Sequence, residues 1–277
     1  MGSIINEFAF PVNTIPQIHA PIKDLRTITV KTGMKKEHIQ VAVYEPVDPE
    51  MMKTRPTVIY IHGNGETIYL MDELIQQYTE RFACRFVTFD WCGYGQSTGK
   101  PSEQTLTKSA LATYNYVKTE FHLTDSNIVV WGRSIGTVGS IYLGSMFNMK
   151  CCIAQSPPAS AFDVVWENPK CNCVNQFMSY KRIKRAQGQI VVIHGTADEV
   201  VPFRNSVKIV KSYAGVEDLK LNEVFHGVLM AETKSLKFYV IQEGGHNDLD
   251  NSFADQLEFC LAKVLEPEEG HLVAEKL

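Results

Sequence analysis

Gly132-Arg133-Ser134-Ile135-Gly136 is the segment of this chain best suited to chemistry. It follows the apolar run NIVVW and opens an apolar helical stretch. A serine at a sharp strand-to-helix turn must adopt a strained backbone, and the flanking Gly132 and Gly136 leave room for it. The turn lifts the hydroxyl above the sheet edge. A helix that begins there directs free N–H groups and its dipole toward a developing oxyanion.

A serine hydroxyl is a poor nucleophile at neutral pH. It needs a base, and the base needs an orienting partner. Candidates follow in the order Ser, Asp, His. Asp198 stands just past the run QIVVIHG, in HGTADEVVP, and His246 just past KFYVIQE, in GGHND. Glu199 is a rival acid beside Asp198. The oxyanion needs two backbone donors. Ile135 N–H supplies one. The loop His62-Gly63-Asn64-Gly65 supplies the other, from Asn64 or Gly65, because glycines let backbone approach the acyl oxygen. His62 itself reads as a buried residue that holds the loop.

These residues need a scaffold that brings distant loops together. The segments 57–62, 85–90, 127–132, 150–156, 189–195 and 237–243 are short and almost continuously apolar, which suits strands covered on both faces. Between them lie amphipathic stretches at 68–82 and 103–121, whose apolar residues recur at spacings of three and four. RTITVK (26–31) and IQVAVYE (39–45) alternate more strictly and predict an antiparallel hairpin at the sheet edge. Alternating strand and helix implies one parallel sheet with right-handed crossovers and helices on both faces. Ligands bind such sheets at the carboxyl ends of the strands, where Ser134, Asp198 and His246 all fall.

Composition narrows the function classes. The 277 residues carry 27 Lys plus Arg against 31 Asp plus Glu, a formal charge of −4, so no basic excess points to nucleic acid. No apolar run reaches the ~18–20 residues of a membrane span. The N-terminus, MGSIINEFAFPVNTIPQ, has no basic start and no long apolar core, unlike a secretory signal. Gly2 is placed as in a myristoylation signal, but Asn6 stands where Ser or Thr is required. Seven scattered cysteines, Cys84, Cys92, Cys151, Cys152, Cys171, Cys173 and Cys260, read as reduced thiols of a cytoplasmic protein. Cys171 and Cys173 form a lone CxC without a second pair, so no metal site is expected.

HGNG at 62–65, DWCGYGQSTGKPSE at 90–103, WGRSIGT at 131–137, HGTADEVVP at 194–202 and GGHND at 244–248 together resemble the α/β-hydrolase superfamily. Within it the chain most resembles the α/β-hydrolase-domain-containing proteins that include membrane-associated protein depalmitoylases. SPPASAFD and the stretch NPKCNCVNQFMSYKRIKRAQGQIVVIHG resemble that group's short cap. The resemblance implies an α/β fold with a mostly parallel eight-stranded sheet, helices on both faces and a short cap. It implies Ser134 as nucleophile, Asp198 as acid and His246 as base, with no cofactor. Asp90 and the GYGQS turn would be structural.

The implied substrate is an acyl ester or thioester, with S-acylated protein favoured. A small carboxylesterase, a monoacyl-lipid lipase and a peptidase are the alternatives, and a binding protein on a hydrolase fold is a further one. Residues 1–25 read as an N-terminal extension, 26–265 as the hydrolase domain and 266–277 as a tail. Within the domain, 163–188 reads as the cap and 215–236 as an insertion that either reshapes the entrance or decorates the surface. That group carries an acylated cysteine-rich N-terminal segment, whereas residues 1–83 here contain no cysteine. The run Lys181-Arg182-Ile183-Lys184-Arg185 reads as a solvated helix face. Its membrane reading is a weak peripheral contact with anionic lipid, each charge contributing about 1 kcal/mol.

Overall fold

The structure is a computed structural model and describes residues 10, 21–167, 169, 175–216 and 218–266. The Gly2 signal, the Cys171–Cys173 pair, part of the expected cap and residues 267–277 of the expected tail lie outside the described residues.

Among the described residues ten strands form one sheet: β1 (Leu25–Thr32), β2 (Lys35–Tyr44), β3 (Thr57–Ile61), β4 (Arg85–Phe89), β5 (Ile128–Arg133), β6 (Cys151–Gln155), β7 (Gln189–Gly195), β8 (Asn222–Phe225), β9 (Val228–Glu232) and β10 (Leu236–Ile241). Their order is β1-β2-β4-β3-β5-β6-β7-β10-β9-β8. From β4 through β10 the neighbours run parallel. The expected hairpin β1–β2 forms one antiparallel edge, with Leu25 opposite Ala42 and Thr32 opposite Lys35.

The central strands show why continuous apolarity marks a two-faced sheet. Ile59 and Ile61 of β3, Ile128 and Val130 of β5, and Ile190 and Val192 of β7 enter the core on one face. Val58, Tyr60, Val129, Trp131, Val191 and Ile193, the residues between them, enter the core on the other. Helices α2 (Glu103–Glu120), α3 (Thr137–Gly144) and α6 (Arg204–Ala214) cover the first face through Leu106, Tyr114, Ile141 and Ile209. Helices α1 (Asp72–Phe82) and α7 (Ala254–Leu265) cover the second through Ile75, Tyr78, Leu257 and Leu261. Helix α2 starts on the Ser102 hydroxyl, which accepts the Thr105 N–H at 3.1 Å. Helix α1 begins four residues later than the periodicity predicts. The Ile68 N–H is held by the Asp90 carboxylate at 2.9 Å, so residues 68–71 stay in a turn.

The sheet has two strands more than the eight expected. They come from the 215–236 segment, which folds as the hairpin β8–β9 around Gly227 (φ +73°) and pairs antiparallel with β10. Strand β9 lies four positions from β5, about 19 Å at ordinary strand spacing, so this insertion extends the sheet edge away from Ser134. The hairpin is fastened to α7 by Phe225 stacked on Phe259, ring centroids 4.6 Å apart. In the cap stretch, α4 (Ala161–Val165) starts on the Ser160 hydroxyl and α5 (Ser179–Arg182) precedes a short 3₁₀ turn. Phe10, within the expected extension, is buried against Phe177. Among the described residues no helix is long and apolar enough to cross a membrane.

Candidate active site

Strand β3 is followed in sequence by β4 on one side, while β5 lies on its other side. The connections after β3 and β5 therefore diverge to opposite faces and leave a crevice at their carboxyl ends. Ser134 stands in that crevice. It ends β5 at φ +53°, enters a 3₁₀ turn over Ser134–Gly136, and leads into α3. A non-glycine residue in this left-handed region is strained by about 1–3 kcal/mol and persists only where the surroundings enforce it. The two glycines allow that enforcement. A Cβ on Gly132 would sit 2.6 Å from the Gly136 carbonyl group, and a Cβ on Gly136 would sit 2.2 Å from the Ile61 carbonyl oxygen. The turn thus lies directly on the end of β3, beside the 62–65 loop.

Ser134 Oγ lies 3.0 Å from His246 Nε2, and His246 Nδ1 lies 2.7 Å from Asp198 Oδ2. A carboxylate can only accept, so Nδ1 carries the imidazole proton and Nε2 presents its lone pair to the serine hydroxyl. Asp198 Oδ1 accepts the N–H groups of Val200 at 3.0 Å and Val201 at 2.7 Å, which turns its other oxygen toward His246. Burial alone would raise the Asp198 carboxyl, but hydrogen bonds from His194 and His246 outweigh it and hold the group below the usual carboxylate range. Glu199, the rival acid, is exposed.

His194 was not singled out by sequence. It is fully buried, with Nε2 3.1 Å from Asp198 Oδ2 and 2.8 Å from the Val201 carbonyl. The Ser206 hydroxyl meets its Nδ1 at 2.6 Å. Its spacing of four from Asp198 across a strand end was the available signal.

The neighbouring loop is equally constrained. His62 is buried, stacked on Trp91 with ring centroids 4.0 Å apart, and bonded to the Gly63 carbonyl at 2.9 Å. The Gly63 N–H is taken by Glu66 at 2.5 Å. The Asn64 side chain accepts from Tyr94 at 2.6 Å, and Gly65 occupies φ +77°. The Gly63 N–H is thus engaged within the loop, and the loop's start at His62 lies against the turn at Gly136.

A family model described as "alpha/beta hydrolase fold" matches residues 56–171. The chain is 30% identical over 208 residues to α/β-hydrolase domain-containing protein 17C of Xenopus tropicalis, covering 74% of this chain and 60% of that protein. It is 33% identical over 154 residues to α/β-hydrolase domain-containing protein aho-3 of Caenorhabditis elegans, covering 55% and 46%. The match thus spans about three fifths or less of these curated relatives' length. An esterase from Pyrococcus furiosus superimposes with a TM-score of 0.64 at 15% identity, covering 90% of this chain and 97% of the other. An α/β hydrolase from Vibrio vulnificus does so with a TM-score of 0.64 at 17% identity, covering 93% and 92%. The chain has the α/β-hydrolase fold.

Within this α/β-hydrolase domain the other predicted features fall as follows. Asp90 is fully buried and structural in its contacts, holding the Ile68 N–H. In the basic run, Arg182 is tied to Glu103 at 2.9 Å and Ile183 is buried, leaving Lys181, Lys184 and Arg185 exposed. A cleft of about 780 Å³ is lined by residues including Tyr180, Lys184, Arg204 and Lys208, and includes none of Ser134, Asp198 and His246. Among the described residues no cluster of His, Cys, Asp and Glu has the make-up of a metal site.

Proposed function

We propose that this chain is a serine hydrolase that cleaves acyl esters and thioesters through an acyl-enzyme, with S-acylated protein as the favoured substrate. One observation carries the reading: the hydrogen-bonded series Ser134 Oγ, His246 and Asp198, at 3.0 and 2.7 Å. In this mechanism His246 Nε2 takes the Ser134 proton as Oγ attacks the acyl carbonyl. N–H groups of Ile135 and of Asn64 or Gly65 hold the oxyanion. His246 then returns the proton to the departing alcohol or thiol. Water, activated by the same imidazole, releases the acid and restores the serine. Asp198, kept ionised by its two histidine partners, orients His246 and stabilises the imidazolium.

The thioester preference rests on the resemblance of the five motifs to the group that includes protein depalmitoylases. The catalytic domain is proposed to span residues 26–265, with the cap between 163 and 188. The test is hydrolysis of matched ester and thioester series of increasing acyl length, with Ser134→Ala as the blank. Turnover rising toward long chains, with thioesters preferred, supports the proposal. A maximum at two to four carbons would replace it with a small-ester hydrolase. Turnover retained in a folded Ser134→Ala protein would refute the serine mechanism itself.

A further inference from the structure

Arg133 precedes the nucleophile in sequence, yet its side chain is turned away from solvent, with only 7% of it exposed. Its guanidinium reaches two separate pieces of chain. Nη1 is paired with Glu66 Oε1. Nη2 donates to the His246 carbonyl at 3.1 Å and to Asn247 Oδ1 at 2.9 Å. Nε faces Asp250 Oδ2 at 3.7 Å. The two carboxylates continue the network. Glu66 Oε2 accepts the Gly63 N–H at 2.5 Å, and Asp250 Oδ1 accepts the Tyr78 hydroxyl at 2.6 Å.

A cluster of one buried cation and two largely buried carboxylates is a poor way to gain stability. Removing the charges from water costs several kcal/mol per ion, and apolar residues of similar volume often do as well. What such a cluster does supply is direction. A guanidinium is a planar fork with fixed donor angles, and a lysine cannot hold two partners at once in that geometry. Here one arm of the fork holds the loop that carries Gly63, Asn64 and Gly65. The other arm holds the backbone of His246 itself. Both are fixed relative to residue 133, whose carbonyl is covalently joined to the Ser134 nitrogen.

We propose that Arg133 is a positioning residue: its guanidinium sets the separation of the oxyanion loop and the histidine loop from Ser134. This rests on the serine-hydrolase reading above. Because both the base and the oxyanion donors must sit within a few tenths of an ångström of their working places, a displacement of about 1 Å costs about 100-fold in rate. Loss of the fork therefore acts on kcat far more than on KM, since the buried guanidinium is engaged by protein partners.

The experiment compares wild type with Arg133→Gln, Arg133→Lys, Glu66→Gln and Asn247→Ala, using a p-nitrophenyl ester for kcat and KM. A fluorophosphonate probe measures the rate of Ser134 modification, and thermal unfolding is recorded for each. Arg133→Gln is expected to lower kcat by about 10- to 100-fold with KM within about threefold. Probe labelling slows in parallel. Arg133→Lys restores only part of the loss, because it keeps the charge but not the fork. Each single-arm variant lowers kcat less than Arg133→Gln does. If Arg133→Gln folds and keeps wild-type kcat, the proposal is overturned, whatever happens to its melting temperature. If it does not fold, wild-type kcat in both Glu66→Gln and Asn247→Ala overturns it equally. Ser134→Ala is run alongside. A dead Ser134→Ala with a fully active Arg133→Gln refutes the positioning role alone. An active Ser134→Ala refutes the serine mechanism, and this inference falls with it.

Discussion

Adding one methyl group at Gly136 tests how Ser134 is held. A Cβ there would sit 2.2 Å from the Ile61 carbonyl oxygen, 2.5 Å from the His62 carbonyl oxygen and 2.8 Å from the Ile61 carbonyl carbon. All three are backbone atoms in or beside a central strand that is hydrogen-bonded on both sides, so no rotamer change relieves the clash. The turn must move by about 1 Å to restore ordinary contact, which costs about 100-fold in rate for a displaced reacting group. Overpacking adds about 1–3 kcal/mol of destabilisation, or a melting temperature lower by about 2–12 °C for a domain of this size. Gly139→Ala is the control. Its Cβ would meet the Ile61 Cδ1 at 2.9 Å and the Leu106 Cδ2 at 3.2 Å, both ends of flexible side chains. Ester hydrolysis and thermal denaturation on both variants decide the matter. Gly136→Ala with wild-type turnover, or no more impaired than Gly139→Ala, would show that the turn is not braced on β3 as described.

Asp198→Asn is expected to lower kcat by about 10⁴-fold, since the amide favours the wrong imidazole tautomer. The same variant reports a pH effect. The folded-state pKa of Asp198 is depressed, so its stabilisation is present above the ordinary carboxylate pKa of about 3.9 and is lost as pH falls toward the folded value. The stability gap between wild type and Asp198→Asn should therefore narrow on acidification, and a gap that widens in urea titrations would contradict this. Tyr94→Phe removes the 2.6 Å bond to Asn64. It should cost about fivefold in kcat, the equivalent of one hydrogen bond of about 1 kcal/mol, and an unchanged kcat would dissociate that bond from catalysis. Burial pushes the thiols of Cys84 and Cys152 up to about 12 and also raises those of Cys92, Cys151 and Cys260. Iodoacetamide mapping by mass spectrometry should find these five unmodified in the folded protein and modified in urea. Alkylation of any of them at the rate of an exposed thiol would be the contrary result.

Sequence patterns exposed the parts of this protein that are local. Strands β3 to β7 and β10 announce themselves because a strand covered on both faces has to be apolar at nearly every position, whichever neighbours it acquires. The turn at Ser134 is legible for a similar reason. Its two glycines answer a steric demand made within five residues, and the demand appears in the structure as Cβ positions 2.6 Å and 2.2 Å from backbone. The rule that loops at strand carboxyl ends converge then put Asp198 and His246 on the same rim without any knowledge of strand order.

What depends on strand order or on distant partners could not be read. The hairpin β8–β9 is largely exposed along β8, and its residues lack a two-faced apolar signature. It is a pair of strands because β10 offers an open edge, to which β9 pairs antiparallel. His194 looks like the end of a strand until Asp198 folds back onto it. Arg133 is the clearest case. Nothing within its own segment distinguishes it from a solvent-facing arginine, since its partners lie 67 residues before it and 113 and 114 residues after it. A side chain's neighbours across a sheet are set by the order in which strands assemble, and only the tertiary structure records that order.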